Sequence, residues 1–395
     1  MKMKLLFVIE SLVAAGAEKS LVTFLSLLDY DKYEVDLQLF SYGGEFERYL
    51  PKEVNLLPPL DYTRFLNKGM VEQLMTFDFK KINARWSYTW AIRRTKTYHM
   101  DKARLYWKYV SGCIPQTQKK YDVAIGYAQG LPTFYVVDKA QADLRLSWVN
   151  VSYRLQGINK EFQRQFYQKI DHIVTVSDSA YEVFTEVYPE FAHKMSVIWD
   201  MQDPTFMQRM AEEKPERELD KTVPCLLTIA RLNKPQKGYD ISLEACKILR
   251  GRGLKFKWYA IGRGSYREEM EEYILANGLQ DTFILLGTTP NPYPYIKACT
   301  LYVQTSRHEG YGLSIAEARI LNKPVVTTEF DAVYNQMVPE KNGIVVKQDP
   351  VAVADAIERL LTDKALYQSI VAYQRQEKKG NTEEIQKFYR LIESI

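Results

Sequence analysis

Short apolar runs alternate with amphipathic stretches along almost the whole chain, and the alternation starts twice. In the first half, Leu5–Ile9, Val35–Phe40, Val123–Tyr127, Arg145–Val149, His172–Val176 and Ser196–Ile198 read as strands, with Ala17–Leu28 and Ala180–Val187 as helices. The pattern stops near Asp203. Residues 204–224 are rich in charge and contain three prolines, and 204–222 reads as a linker. It then resumes with predicted strands Cys225–Ala230, Phe256–Ile261, Phe283–Leu286, Leu301–Gln304, Val325–Thr328 and Gly343–Val346. Helices are predicted between and after them at Tyr239–Arg250, Tyr266–Asn277, Pro294–Ala298, Leu313–Leu321 and Ala352–Leu361. Such alternation indicates parallel sheets covered by helices on both faces. The expected class is α/β, with two doubly wound Rossmann-like domains, 1–203 and 223–380, facing across a cleft. A last helix, about 382–395 within a tail from 381, is expected to pack back on the first domain. Ligands of doubly wound sheets bind outside the carboxyl ends of the strands.

The length of 395 residues fits two domains. Hydrophobic content of 46% with 26% charged residues excludes a disordered or collagen-like chain. No segment has the ~18 consecutive apolar residues that cross a bilayer. Glu10 cuts short the apolar run at the N-terminus, which therefore reads as a buried first strand rather than a secretory signal. Cys113, Cys225, Cys246 and Cys299 lack metal-ligand spacing and read as reduced thiols, implying a cytoplasmic setting. With only four histidines, no zinc site is expected.

Net charge is only +4, but its distribution is uneven. Residues 64–120 hold 13 Lys or Arg against three Asp or Glu, a net of +10. Trp86, Tyr88, Trp90, Tyr98, Tyr106, Trp107 and Tyr109 are interleaved with them. A basic, aromatic amphipathic stretch suits the surface of an anionic membrane. A solvated helical face over a Tyr/Trp core explains it as well. Nucleic acid is the least expected partner.

The most informative stretch is Ser306-Arg-His-Glu-Gly-Tyr-Gly-Leu-Ser-Ile-Ala-Glu-Ala318, between a predicted strand and a predicted helix. Amides of Gly312, Leu313 and Ser314 at a helix N-terminus would bind phosphate. Glu309 and Glu317 flank that cradle, and a carboxylate can accept hydrogen bonds from two sugar hydroxyls. Arg231 and Lys237-Gly238 follow another strand, where two cations would neutralise a diphosphate leaving group. Gly262-Arg-Gly264 ends a third strand, and Gly16 in Ala15-Gly-Ala-Glu18 permits close backbone approach in the first domain. Each piece taken singly has an ordinary structural explanation: a tight turn, a charged first helical turn, or solvated strand-end cations.

Arg231…Lys237-Gly238, Gly262-x-Gly264, Asn291-Pro-Tyr293 and Glu309-x7-Glu317 stand in the order and spacing of the family-4 retaining glycosyltransferases, which the chain resembles over nearly its whole length. It is most similar to the polysaccharide-assembly members. The resemblance implies a GT-B fold and a donor held mainly by the second domain. Arg231 and Lys237 would bind the donor diphosphate, Glu317 the ribose and Glu309 the donor sugar. The amides of Gly312, Leu313 and Ser314 would bind the phosphates, and Gly16 and Gly262 would line the donor. Three departures stand out. Trp148-Val-Asn150 replaces the family's Trp-x-His, and Asn150 cannot become cationic. The Arg231–Lys237 spacing is six instead of the more frequent five. Tyr334-Asn335 replaces a common Glu-Ile.

The resemblance thus implies a metal-independent, hexosyltransferase-type enzyme without cofactor. It would move a sugar, with retention, from a nucleoside diphosphate (uridine is favoured) to a glycan or lipid-linked acceptor in cell-surface polysaccharide synthesis, including capsule. The expected location is the cytoplasm, with peripheral contact at the plasma membrane's inner face. Asn150 motivates a non-enzymatic alternative, a catalytically silent donor-binding partner subunit. A sugar-nucleotide epimerase lacks a matching acid constellation here, and a glycan phosphorylase lacks its pyridoxal-phosphate signature.

Overall fold

A computed structural model describes all residues of the chain except 1, 14–15, 95–98, 151–153, 310–311, 331–332 and 395. The chain forms two compact units, Met1–Met201 with Thr382–Ile395, and Gln202–Asn381.

The first unit is built on β1 (Met3–Ile9), β2 (Tyr33–Leu39), β3 (Val54–Leu56), β4 (Lys120–Gly126), β5 (Gln141–Val149), β6 (His172–Thr175) and β7 (Met195–Val197). Their order is β3-β2-β1-β4-β5-β6-β7, with parallel pairings throughout. Leu5, Leu6, Phe7 and Val8 on central β1 are buried. A strand covered on both faces needs an unbroken apolar run, which is why β1 is evident in the sequence. Edge strand β3 has three residues and a single buried valine, too little to register as a pattern. The helix Leu131–Asp138 also goes unseen in the sequence. Leu131 to Val136 are all buried, so it has no polar face to supply a helical period.

The helix Ile385–Ser394 belongs to this unit. The Phe388 ring packs edge-on against Phe24 at 4.9 Å and lies 6.2 Å from Trp148, while Tyr389 stacks on Tyr33 at 5.4 Å.

The basic, aromatic segment divides in two. In His99–Val110, Ala103, Trp107 and Val110 enter the core, and Trp107 Nε1 donates to Asp138 at 2.8 Å. Tyr88 and Tyr106 pack edge to face at 5.5 Å. Trp86 and Trp90, on the helix Phe79–Arg94, face outward. Tyr98 lies outside the described residues.

The second unit contains β8 (Cys225–Ile229), β9 (Lys257–Ile261), β10 (Phe283–Gly287), β11 (Leu301–Gln304), β12 (Val325–Thr328) and β13 (Gly343–Val346). Their order is β10-β9-β8-β11-β12-β13, again all parallel. The sequence order reverses between β8 and β11, so the ligand crevice of a doubly wound sheet is expected at their carboxyl ends.

The expected linker over 204–222 is not one. Asp203 caps the helix Pro204–Ala211 by accepting from Thr205 N at 2.9 Å, and Pro204 suits the first helical position. Phe206, Met207 and Met210 are buried. Asn291 donates to the Met210 carbonyl at 2.8 Å, and Tyr295 OH accepts from Arg217 N at 3.0 Å. The charges that suggested a linker lie on the exposed side of a packed segment, and the proline starts its helix.

Candidate functional site

Two turns, one after β8 and one after β11, are locked together in the second unit. Asn233 caps the short turn Lys234–Lys237, and Gly238 closes it at φ 61°. A Cβ at Gly238 would run into the Thr305 carbonyl oxygen, so only glycine fits. The six-residue Arg231–Lys237 spacing is absorbed by this capped turn. Thr305 Oγ1 donates to the Gly238 carbonyl at 2.9 Å and lies 2.6 Å from Ser242 Oγ. Arg307 grips both carboxylate oxygens of Asp240, at 2.9 and 2.7 Å, and its backbone N–H donates to the Gln236 carbonyl at 2.8 Å.

This fastening sets Lys237 Nζ 2.6 Å from each carboxylate oxygen of Glu309. Glu309 Oε1 accepts from Ser306 Oγ at 2.6 Å and from Gln304 Nε2 at 3.0 Å. The lysine and glutamate side chains are 13% and 10% exposed. Sequence reasoning assigned the two charges to different parts of a ligand and missed their partnership. It also missed Gln304 and Ser306, although a polar run at the end of an apolar strand was a usable signal.

Glycine 310 and tyrosine 311 lie outside the described residues; beyond them Gly312 adopts φ 84° and leads into the helix Leu313–Ile320. The first helical bond is Ile315 N to the Gly312 carbonyl, at 2.9 Å. The amides of Leu313 and Ser314 precede it, where a helix has no internal acceptor to offer. Glu317 is buried on this helix near Tyr302, whose hydroxyl donates to Gln304 Oε1 at 2.8 Å. Burial holds the Tyr302 hydroxyl well above its ordinary pKa, the Ser314 hydrogen bond lowers it and Glu317 raises it again.

Gly262 follows β9, and a Cβ there would strike the Ala230 carbonyl. Leu232 N donates to the Arg263 carbonyl at 3.0 Å, so the 262–264 turn lies alongside Arg231. The Arg231 side chain is exposed and has no hydrogen-bond or ion-pair partner among the described residues. The structure thus gathers Arg231 with Gly262, and Lys237 with Glu309, around the ends of β8, β9 and β11. A cavity of about 310 Å³ opens nearby, lined by Arg307, His308, Glu329, Phe330, Tyr334 and Gln348. Tyr334 OH donates to Glu329 there at 2.9 Å. Asn291, part of the sequence motif, is engaged structurally with Met210, Glu213 and Tyr293.

Gly16 and Asn150 belong to the first unit. Gly16 opens the helix Gly16–Ser26 with free space where a Cβ would be. Asn150 Nδ2 donates to the Tyr127 carbonyl at 2.6 Å. Its Oδ1 is shielded from solvent and has no hydrogen-bond partner among the described residues. Sequence reasoning missed a nearby chain. Tyr127 stacks on Trp148 at 5.0 Å, its hydroxyl lies 3.0 Å from Ser20 Oγ, and Ser20 donates to Asp200 at 2.5 Å. Burial pushes the Asp200 carboxyl up to about 6, offset in part by Ser20 and Lys19. Burial does the same for Glu10, just after β1, and for Glu18 in the first turn of the helix Gly16–Ser26, each raised to about 6.

Among the described residues no group of three or more His, Cys, Asp or Glu is placed to hold a metal ion. The four cysteines are free thiols. No described helix is long and apolar enough to cross a membrane.

Residues 210–377 match the family model described as Glycosyl transferases group 1. The chain is 28% identical to an alpha-D-kanosaminyltransferase of Streptomyces kanamyceticus, over 53% of this chain and 56% of that protein. It is 29% identical to the poly(ribitol-phosphate) alpha-N-acetylglucosaminyltransferase of Staphylococcus aureus, over 33% of this chain and 27% of that one. It therefore spans between about a quarter and just over half the length of these relatives. Among solved structures, S. aureus TarM, in complex with UDP, matches with a TM-score of 0.68 at 15% identity, covering 99% of both chains. Anabaena HepE in complex with UDP-glucose matches at 0.65 and 16%, covering 100% of both. At such identities the likeness is one of fold.

Proposed function

We propose that this chain, whose residues 210–377 match the group-1 glycosyltransferase model and whose two parallel-sheet units have the GT-B fold, carries out a retaining sugar transfer from a nucleoside diphosphate donor. The observation that carries this reading is the cluster at the carboxyl ends of β8 and β11: a shielded Lys237–Glu309 pair, an Arg231 without a partner among the described residues and a glycine-led helix terminus.

Lys237 is neutralised by Glu309 before any ligand arrives. The net positive field for a diphosphate therefore comes from Arg231 and from the amides of Gly312, Leu313 and Ser314. An ammonium has three protons and the carboxylate occupies at most two of them, so the third is available to a phosphate oxygen. Glu317 holds the ribose, and Glu309, fixed by Gln304 and Ser306, offers its remaining acceptor capacity to the donor sugar. By resemblance to the family, Gly262 lines the donor in the second unit. The departing diphosphate takes the acceptor's proton, and the protein contributes position and charge.

UDP is the favoured leaving group, given that relatives of this fold carry UDP and UDP-glucose. A hexose is the group transferred. The acceptor is a hydroxyl of a glycan or lipid-linked glycan in cell-surface polysaccharide synthesis, at the cytoplasmic side of the membrane. No metal or other cofactor takes part.

The test is calorimetric binding of UDP and a panel of UDP-sugars, followed by UDP release with and without a lipid-linked acceptor, in the presence of EDTA. Binding with turnover that survives the chelator is expected. Absence of nucleotide binding would overturn the assignment, and chelator-sensitive turnover would overturn the metal-free part of it. Asn150 in place of histidine favours a second reading, a silent donor-binding subunit, which predicts nucleotide-sugar binding without release.

A further inference from the structure

The short helix Met70–Met75 is inside out. Met70, Val71, Leu74 and Met75 are each more than half exposed, whereas Gln73 is 3% exposed. Gln73 Nε2 donates to the Lys68 carbonyl at 2.7 Å and the Leu66 carbonyl at 3.3 Å, and its Oε1 accepts from the Arg85 guanidinium. These bonds fix the helix with its apolar face outward, because turning it over would strip a buried amide of its partners.

The next segment continues that face. Phe77 adopts φ 52°, a left-handed conformation rare for a bulky residue, and is 74% exposed. Along the helix Phe79–Arg94, Phe79, Trp86 and Trp90 recur at i, i+7 and i+11 on one side, while Ala84 and Ala91 are buried on the other. Exposed Lys80, Arg93 and Arg94 stand among them, and the Arg94 guanidinium lies 3.8 Å over the Trp90 ring. Large contiguous apolar exposure on a soluble surface marks a binding face. Tryptophans flanked by arginines match the headgroup level of a bilayer, where the rings sit between water and acyl chains and long cations reach the phosphates.

We propose that residues 70–94 form a membrane-insertion face that seats this chain on an anionic phospholipid bilayer. Charge complementarity selects that occupant, since exposed cations rim the apolar face. The face is a structural feature independent of the transferase assignment.

The full chain is to be sedimented with vesicles of phosphatidylglycerol and phosphatidylcholine in equal parts, and with phosphatidylcholine alone. The expected result is salt-sensitive binding to the mixed vesicles, much weaker binding to the neutral ones, and quenching of Trp86 and Trp90 fluorescence by brominated lipid. Arg93→Gln with Arg94→Gln weakens binding by about 30-fold, from two lost cation–headgroup contacts. Phe77→Gly weakens it several-fold while leaving the melting temperature unchanged or raised, because glycine suits the left-handed backbone. Failure of the wild type to bind mixed vesicles would overturn the proposal. So would equal binding by the Phe77→Gly and double-arginine variants. A dimer dispersed by these same changes, without vesicle binding, would assign the face to a second copy instead. UDP affinity measured without vesicles is expected to be the same in all variants, so failure of this face leaves the nucleotide site untouched.

Discussion

Lys237 Nζ sits 2.6 Å from both Oε1 and Oε2 of Glu309, joining the turn after β8 to the turn after β11 through a shielded ion pair. Removing one member leaves the other charge without its partner, at about 3 kcal/mol of stability. In a double-mutant cycle of Lys237→Met and Glu309→Gln, urea unfolding is expected to give a coupling of ~2 kcal/mol. The exposed pair Lys297–Glu212, at 2.5 Å, is the control, with coupling below about 1 kcal/mol.

Arg231 carries no structural partner among the described residues, so Arg231→Ala is expected to leave the melting temperature unchanged. UDP affinity should fall by about 10- to 100-fold, the size of one or two charge-assisted hydrogen bonds. Calorimetry with UDP, and with uridine as the phosphate-free control, separates this effect from base recognition.

Glu317 is expected to act on the ribose. Glu317→Ala should weaken UDP by roughly 1.5–3 kcal/mol, and 2′-deoxy-UDP should lose less than UDP does. Unchanged affinity would remove Glu317 from that role.

Asp200 makes the first unit sensitive to pH. The folded chain keeps its proton up to about pH 6, while an unfolded aspartate releases it near ~3.9. The folded state therefore binds more protons between those values, and this group's contribution to stability falls as pH rises through them. Asp200→Asn keeps an acceptor for Ser20 and should raise stability at pH 7.5 by ~1–2 kcal/mol. No gain is expected at pH 4. Glu10 and Glu18 slope the same way, so the substitution should flatten the profile without levelling it. Urea titrations across that range provide the check.

Gly238 binds the two turns of the second unit. Gly238→Ala combines a left-handed backbone with a clash against the Thr305 carbonyl, and is expected to cost about 3 kcal/mol. UDP binding should fall with it, because Lys237 precedes it directly.

The parallel strands were legible because β1, β4, β8 and β11 each carry a run of buried apolar residues where the sheet is covered on both faces. The order and spacing of Arg231, Lys237 and Glu309 in the sequence correspond to turns that follow β8 and β11, while Glu317 falls on the helix beyond them. The helix Leu131–Asp138 hid because full burial erases amphipathic periodicity. The helix Pro204–Ala211 hid behind a proline that starts it rather than breaks it. The Lys237–Glu309 contact spans 72 residues and depends on Gly238 meeting Thr305, a coincidence of backbones that no local pattern encodes. Likewise, no pattern marks Asp200 as Ser20's partner.

Phe388 fills a place among Phe7, Phe24 and Trp148, although the chain visits all of Gln202–Asn381 before reaching it. The second unit is contiguous in the chain and draws on its own residues alone, whereas the aromatic centre of the first is complete only once the helix Ile385–Ser394, made after the second unit, has joined it.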